Sequence, residues 1–292
     1  MKIVTHSGKF HADEVFAVAT LFLAYKNERM EIIRTRDPEI IKTADIVVDV
    51  GGEYDSGKKR FDHHQQQGAG VRENGIPYSS FGIVWKVYGN KVCGSQTVSE
   101  IIDKTLVVPI DALDNGVVIQ KPIMENVHDY TVGDLIDVFN PSWKESVDRD
   151  ESFKRAVQIA KEVLTREVIR TEDKEEGKIM VDTLYVSAPD KRIIILENYL
   201  PWGGVISAYS EPLFVVYPNS ENKNWHVQTV RDIPHLFTSR KDFPREWGGK
   251  VGRELAEITG VKGAIFCHKN LFLCGAETKE DATKLAKLAL DA

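Results

Sequence analysis

Cysteine is scarce in this chain: Cys93, Cys267 and Cys274 are the only three in 292 residues. An odd number with no close Cys-x-x-Cys pairing excludes a disulfide framework and a zinc ribbon. Buried, reduced thiols are expected instead. No stretch approaches the roughly 18 consecutive apolar residues that a membrane helix needs, so no membrane partner is expected. The N-terminus has no signal-peptide pattern, because Lys2–Thr5 already reads as a core strand. A cytoplasmic protein is the expectation. Positive charge is also not in excess: 38 Lys and Arg stand against 44 Asp and Glu, for a net charge of −6. A uniformly basic, nucleic-acid-coating surface is thereby excluded, although a local basic groove is not. Neither a GxGxxG opening a helix nor a GxSxG elbow occurs. Ser7-Gly8-Lys9 lacks the earlier glycine of a P-loop, which would fall at Ile3.

What is present is an ordinary globular composition, 42% hydrophobic and 28% charged, long enough for two domains. In the first half, β-prone runs at Lys2–Thr5, Ile32–Thr35, Asp45–Val50 and Lys59–Phe61 alternate with helical patterns at Glu14–Ala24 and Pro38–Thr43. That alternation predicts βαβ units and a parallel sheet. Further helices are expected over Gly82–Tyr88, with a serine as N-cap, and around Thr97–Lys104. From Asp150 to about Arg170, apolar residues recur at helical spacing; the charged run Thr171–Lys178 reads as a solvated turn or helix end. Short strands then dominate: Leu184–Val186, Arg192–Leu196, Leu213–Tyr217, Trp225–Val230, Ala264–Cys267 and Leu271–Cys274. Helices are expected at Trp202–Tyr209, Lys250–Ile258 and Lys279–Leu290. The predicted fold is α/β. A domain at 1–148 has a mainly parallel sheet flanked by helices, 149–178 is a helical linker, and 179–292 is a smaller α+β domain with a mainly antiparallel sheet.

Four groups of histidines and carboxylates fall at predicted strand ends in the first half: His6, His11 and Asp13; Asp49; Asp62, His63 and His64; Asp111 and Asp114. In an open α/β sheet the carboxyl ends of the strands form the binding crevice, so four segments can meet at one point. Singly, each group is ordinary; a lone Asp after a strand is usually a turn former. Mixed imidazole and carboxylate groups suit manganese, iron, cobalt or zinc better than magnesium or calcium. That many such groups are more than one metal needs and suit two metals that clamp a phosphoryl group. His128-Asp129 is an extra ligand candidate or a structural pair.

Asp62-His63-His64, behind a strand ending in Asp49 and a His-rich first loop, resembles the DHH phosphoesterase superfamily. The fuller strings Thr5-His6-Ser7-Gly8-Lys9-Phe10-His11-Ala12-Asp13-Glu14, Phe61-Asp62-His63-His64-Gln65, Ser79-Ser80-Phe81-Gly82, Asp111-Ala112-Leu113-Asp114-Asn115-Gly116 and Asn140-Pro141-Ser142-Trp143 resemble one branch of it, the melanocyte-proliferating-gene-one (MYG-type) family of metal-dependent hydrolases. The resemblance reaches the C-terminal strands. It implies two divalent ions, manganese first, with zinc, iron or cobalt as alternatives. Their ligands would be His6, His11, Asp13, Asp49, His63 and Asp114. His11 stands where the superfamily has an Asp, which lowers the site's negative charge. Asp62 would lie near the metals or hydrogen-bond a ligand histidine. His64 would contact a substrate phosphate or stand behind the ligands; Asp111 is a weaker ligand candidate than a local cap. In the second half, six basic residues face three acidic ones between Arg231 and Arg253. Arg240 and Arg245 are the substrate-side candidates. Lys250 follows Trp247-Gly248-Gly249 where related enzymes carry Gly-Gly-His, and would bind phosphate as a point charge.

The expected activity is metal-dependent phosphoester hydrolysis, by a 3′–5′ exonuclease or phosphodiesterase on RNA or short oligonucleotides. A small-molecule phosphohydrolase for pyrophosphate or nucleotides is the alternative, and a metal-stabilised binding protein the non-enzymatic one. A homodimer is left open.

Overall fold

The structure is a computed structural model that describes residues 1–219, 221, 223–233, 236 and 238–292. Residues 234, 235 and 237, in the basic stretch above, lie outside the described residues. The chain forms two compact units, Met1–Glu172 and Asp173–Ala292.

In the first unit the order is β1 (Lys2–Thr5), α1 (Ala12–Ala24), β2 (Glu31–Arg34), α2 (Pro38–Lys42), β3 (Ile46–Val48), β4 (Tyr54–Asp55) and β5 (Arg60–Phe61). The strands line up as β2-β1-β3-β5-β4; every pair is parallel except β4 with β5. Helices α3 (Ser80–Cys93), α4 (Gln96–Ile102), α5 (Val108–Asp114) and α6 (Val132–Asp137) follow. Helix α1 is apolar almost all round, as a helix inside a core must be. Val15, Phe16, Val18, Ala19 and Leu21 are buried with Phe81, Val84 and Trp85 of α3. A π-helical turn, Asp103–Val107, joins α4 to α5.

Ser79 does precede α3, yet its side chain does not cap the helix. Its hydroxyl donates to Asp111 Oδ1 at 2.6 Å. Gly82 is required by the same contact: a Cβ there would stand 2.2 Å from Asp111 Oδ2.

Helix α7 (Arg149–Ser187) is one 39-residue helix. The turn expected at Thr171–Lys178 and the strand expected at Leu184–Val186 are therefore corrected. Glu- and Lys-rich sequence favours helix, and Val181 and Tyr185, four residues apart, are buried with Ile194, Leu196 and Trp202. Burial of that face overrides the β preference of Leu184-Tyr185-Val186.

The second unit continues with β6 (Ile193–Ile195), α8 (Gly203–Ile206), β7 (Phe214–Pro218), β8 (Trp225–Thr229), α9 (Gly252–Thr259), β9 (Ala264–Cys267), β10 (Leu273–Ala276) and α10 (Lys279–Asp291). The sheet order is β6-β7-β8-β10-β9, with only β6 and β7 parallel. Leu271 has φ +60°, a left-handed conformation a branched side chain adopts only under strain. The last strand accordingly starts two residues later than expected. The fold is thus mixed α/β, with a mainly parallel sheet in the first unit and a mainly antiparallel one in the second. Among the described residues, no helix is long and apolar enough to cross a membrane.

Candidate metal centre

Three neighbouring parallel strands, β1, β3 and β5, each hand over to a histidine or aspartate at the first residue past their carboxyl end: His6, Asp49 and Asp62. This is the crevice where open sheets bind ligands. Asp49 has φ +56°, in the left-handed region that Asp tolerates better than most side chains. Its N–H still donates to Phe61 O at 3.0 Å, so pairing with β5 runs one residue past β3 before the chain turns away.

The loop between β1 and α1 is fixed at both ends. Phe10 N donates to Asn140 Oδ1 at 3.0 Å and Asn140 Nδ2 donates to Phe10 O at 2.9 Å. Arg34 donates to Gly8 O at 2.8 Å. At the start of α1, His11 N donates to Glu14 Oε2 at 2.9 Å, satisfying a helix-end N–H. Asp13 and Glu14 lie in that first turn, where the helix dipole favours negative charge.

These elements bring one cluster together. His6 Nε2 is 2.8 Å from Glu14 Oε1 and 3.3 Å from Asp49 Oδ2. His63 Nε2 is 3.3 Å from Asp49 Oδ1, 3.2 Å from Asp114 Oδ2 and 3.8 Å from Asp13 Oδ2. Ligand atoms of His11, Asp13 and Asp114 fall within 4.8 Å of one another, as do those of Asp49, His63 and His64, and of Asp13, Glu14 and Asp49. Ser80 Oγ donates to Asp49 Oδ1 at 2.8 Å.

The electrostatics follow from this crowding of buried charge. Burial, then the charges of Asp49, Glu14 and Asp114, push the Asp13 carboxyl well above its usual range. Burial also raises Asp114, against the pull of His63. At Asp49 burial opposes ionisation, but hydrogen bonds from His6, His63 and Ser80 hold it well below the usual range. Burial of His6 is likewise outweighed by Asp49 and Glu14, which lift it to about 10.

Both oxygens of Asp13 are sealed from solvent with no hydrogen-bond partner among the described residues. A buried carboxylate in that state is costly unless something positive meets it. Clustered imidazole and carboxylate donors around such an orphan fit divalent transition metals. A cavity of about 430 Å³ opens onto Asp13, Asp49, His63 and Asp114, walled by Ile110 and Leu113. A second hollow of about 360 Å³ reaches His6, His11, Asp49 and His64 beside Arg36 and Gly51-Gly52.

Asp62 stands apart from those groupings. It accepts from His64 Nδ1 at 2.8 Å, His64 N at 3.1 Å and Gly52 N at 2.6 Å. It therefore orients His64, whose side chain is 62% exposed, rather than His63. The hydrogen bond to Asp62 raises His64 above its ordinary value. Asp111, fully buried, accepts from Ser79 and from the Arg72 guanidinium, which also grips Asp103. It ties α3 to α5 and is not in the cluster; it and Asp114 lie on helix α5, not at the strand end expected of them. His128 is exposed, and Asp129 accepts from Gln120; neither joins the cluster.

In the second unit, Arg240 is corrected. Its side chain is buried, and its guanidinium donates to Asp232 and to the carbonyls of Ser207, Tyr209 and Pro212. Those bonds brace the segment after α8 and leave little for a phosphate. Arg245 is exposed, and Lys250 pairs with Glu254 at 3.1 Å.

Sequence reasoning missed Glu14, Ser80, Arg72 and Arg36. Glu14 and Ser80 lie inside strings already singled out. Arg36 lies two residues past β2, at the same carboxyl edge as the other site residues, and could have been found by that rule. Arg72, in a loop, carries no such signal.

The family model MYG1_exonuc, described as "Uncharacterised protein family (UPF0160)", matches residues 2–290. The MYG1 protein C694.04c of Schizosaccharomyces pombe is 31% identical over 324 residues, covering 100% of this chain and 98% of its own. A protein named MYG1 exonuclease from Homo sapiens is 31% identical over 331 residues, covering 99% of this chain and 85% of its own. The MYG1 protein of Chlamydia trachomatis is 34% identical over 299 residues, covering 98% and 95%. Matched from strand β1 to helix α10, the chain belongs to the MYG1 family.

Proposed function

We propose that this chain is a divalent-metal-dependent phosphoester hydrolase, a 3′–5′ exonuclease on single-stranded RNA or short oligonucleotides. The observation that carries the metal dependence is Asp13: a carboxylate with both oxygens buried and no hydrogen-bond partner among the described residues, amid carboxylates and histidines. The name borne by the human relative, MYG1 exonuclease, supports a nucleic acid substrate. The resemblance to DHH phosphoesterases supports two ions and the 3′–5′ direction.

In this reading His6, His11, Asp13, Asp49, His63 and Asp114 hold two divalent ions, manganese first, and Glu14 joins them through its contact with His6. Ions so held would neutralise phosphoryl charge and make a water a nucleophile at neutral pH. The chain's own groups do the rest. His64, its Nδ1 committed to Asp62, presents Nε2 to a phosphate oxygen. Arg36, at the rim of the same hollow, supplies a planar fork for a second phosphate contact. Leu113 and Ile110 give the cavity an apolar wall that limits water around the scissile phosphate. Asp62 is a positioning residue: it fixes the ring of His64. Arg245 and Lys250 are retained as phosphate contacts of the second unit.

The test is a substrate panel on metal-stripped protein resupplied with Mn²⁺. RNA labelled at its 5′ end should shorten stepwise, and RNA labelled at its 3′ end should release labelled mononucleotide at once. Rapid pyrophosphate turnover with inert RNA would move the assignment to the small-molecule reading.

A further inference from the structure

The second unit contains a pocket of about 320 Å³ whose chemistry is unlike that of the metal centre. Lys174 and Arg231 border it, and among the described residues no carboxylate does. That is notable in a chain of net charge −6. Its volume is in the range of pockets for small organic ligands.

The walls are aromatic. Tyr199 lines the pocket with 64% of its surface exposed. It meets the Tyr217 ring edge-on, with centroids 5.7 Å apart, and Trp202 lies 6.2 Å from the same ring. Tyr217 and Trp202 are buried, so Tyr199 is a free aromatic face on a fixed support. Tyr217 donates its hydroxyl to Gln228 Oε1 at 2.7 Å, which leaves the Gln228 amide nitrogen as the end able to donate. Gly203 and Gly204 contribute no side chain, and an added Cβ at either would meet nothing within 4 Å. Helix α7 is held close by Gly177, where a Cβ would stand 2.6 Å from Pro201 Cδ. Lys174 lies one helical turn earlier. Arg240, through its bond to Ser207 O, braces another of the lining residues.

A planar, anionic ligand satisfies every one of these features. The exposed aromatic face accepts a base by stacking, an amide can read its edge, and Lys174 takes a phosphate. We infer that this pocket is a nucleotide-binding site that takes a nucleoside 5′-monophosphate, with its base on Tyr199 and its phosphate at Lys174. The site needs no metal. It therefore stands or falls separately from the hydrolase reading.

Isothermal titration of the full chain with AMP, in excess chelator, tests this. AMP should bind, and ribose 5-phosphate and inorganic phosphate more weakly. Tyr199→Ala should weaken AMP binding by about tenfold or more, and Lys174→Ala should weaken it and flatten its salt dependence. Both residues are exposed, and unchanged melting temperatures would show that the variants are folded. Asp13→Asn should leave AMP affinity unchanged. The inference is overturned if AMP fails to bind at millimolar concentration, if Tyr199→Ala binds like the wild type, or if phosphate alone binds as well as AMP. RNA hydrolysis without AMP binding would refute this site only, and AMP binding without hydrolysis would refute only the hydrolase.

Discussion

Asp13 holds the centre of the site because its two oxygens find no hydrogen-bond partner among the described residues while three other carboxylates raise its proton affinity. A carboxyl whose folded value is raised adds stability below its unfolded value, and that stability is lost as pH rises through the folded one. At neutral pH the buried Asp13 carboxyl thus works against folding of the metal-free protein. Asp13→Asn, isosteric and uncharged, should leave the metal-free protein as stable as the wild type or more so. The same change should abolish the rise in melting temperature on adding Mn²⁺ and cut kcat/KM by at least about a hundredfold. Calorimetry with and without metal checks it; a destabilised metal-free variant that still responds to Mn²⁺ would contradict it. Arg36 makes the complementary case. Arg36→Ala should raise KM for RNA about tenfold, the order of one charge-assisted contact, with metal content and melting temperature unchanged. A lower metal content would instead mark it as part of the ligand frame.

The elements that carry the site were legible where one physical rule dominates. Strands β1 and β3 announce themselves by β-branched runs, β5 is the brief segment ahead of the Asp-His-His triplet, and each is followed at once by a chemical residue. The Asn140 string was visible as a motif, but its work, clasping Phe10 from both sides, depends on a contact 130 residues away that no local pattern encodes. Leu184–Val186 shows the opposite failure, since local β preference yields to burial of Val181 and Tyr185. Arg240 was misread for the same reason: an arginine in a basic stretch looks solvent-facing until its carbonyl partners are seen. Two predictions belong here. Gly82→Ala forces a methyl against the Asp111 carboxylate and should cost about 1–3 kcal/mol or more, measured by denaturant unfolding. Asp190 accepts from Arg192 N, Nε and Nη2 at the turn before β6; those bonds lower it to about 2. A depressed acid stabilises above its unfolded value of about 3.9, and this is lost as pH falls through about 2. Both partners are half exposed, so Asp190→Asn should cost under about 1 kcal/mol near pH 6 and almost nothing at pH 2.

At the scale of the molecule, the two units carry different chemistry. The first holds the buried cluster of carboxylates and histidines; the second holds an aromatic pocket with two cations. Any ion that binds only the folded first unit stabilises it by mass action, by about 2.7 kcal/mol at a hundred times its Kd. Ligand histidines must shed their protons to bind a metal, and Asp49 and Glu14 hold the proton on His6 up to about 10, so occupancy should fall progressively as pH drops. The most direct measurement is the rate of hydrolysis of end-labelled single-stranded RNA by stripped protein, titrated with Mn²⁺ while bound metal is counted. The account predicts a rate near zero without metal, a rise that follows occupancy, and an Asp49→Asn variant that stays inactive throughout. A stripped protein that hydrolyses RNA at full rate, or an Asp49→Asn variant indistinguishable from the wild type, would contradict it.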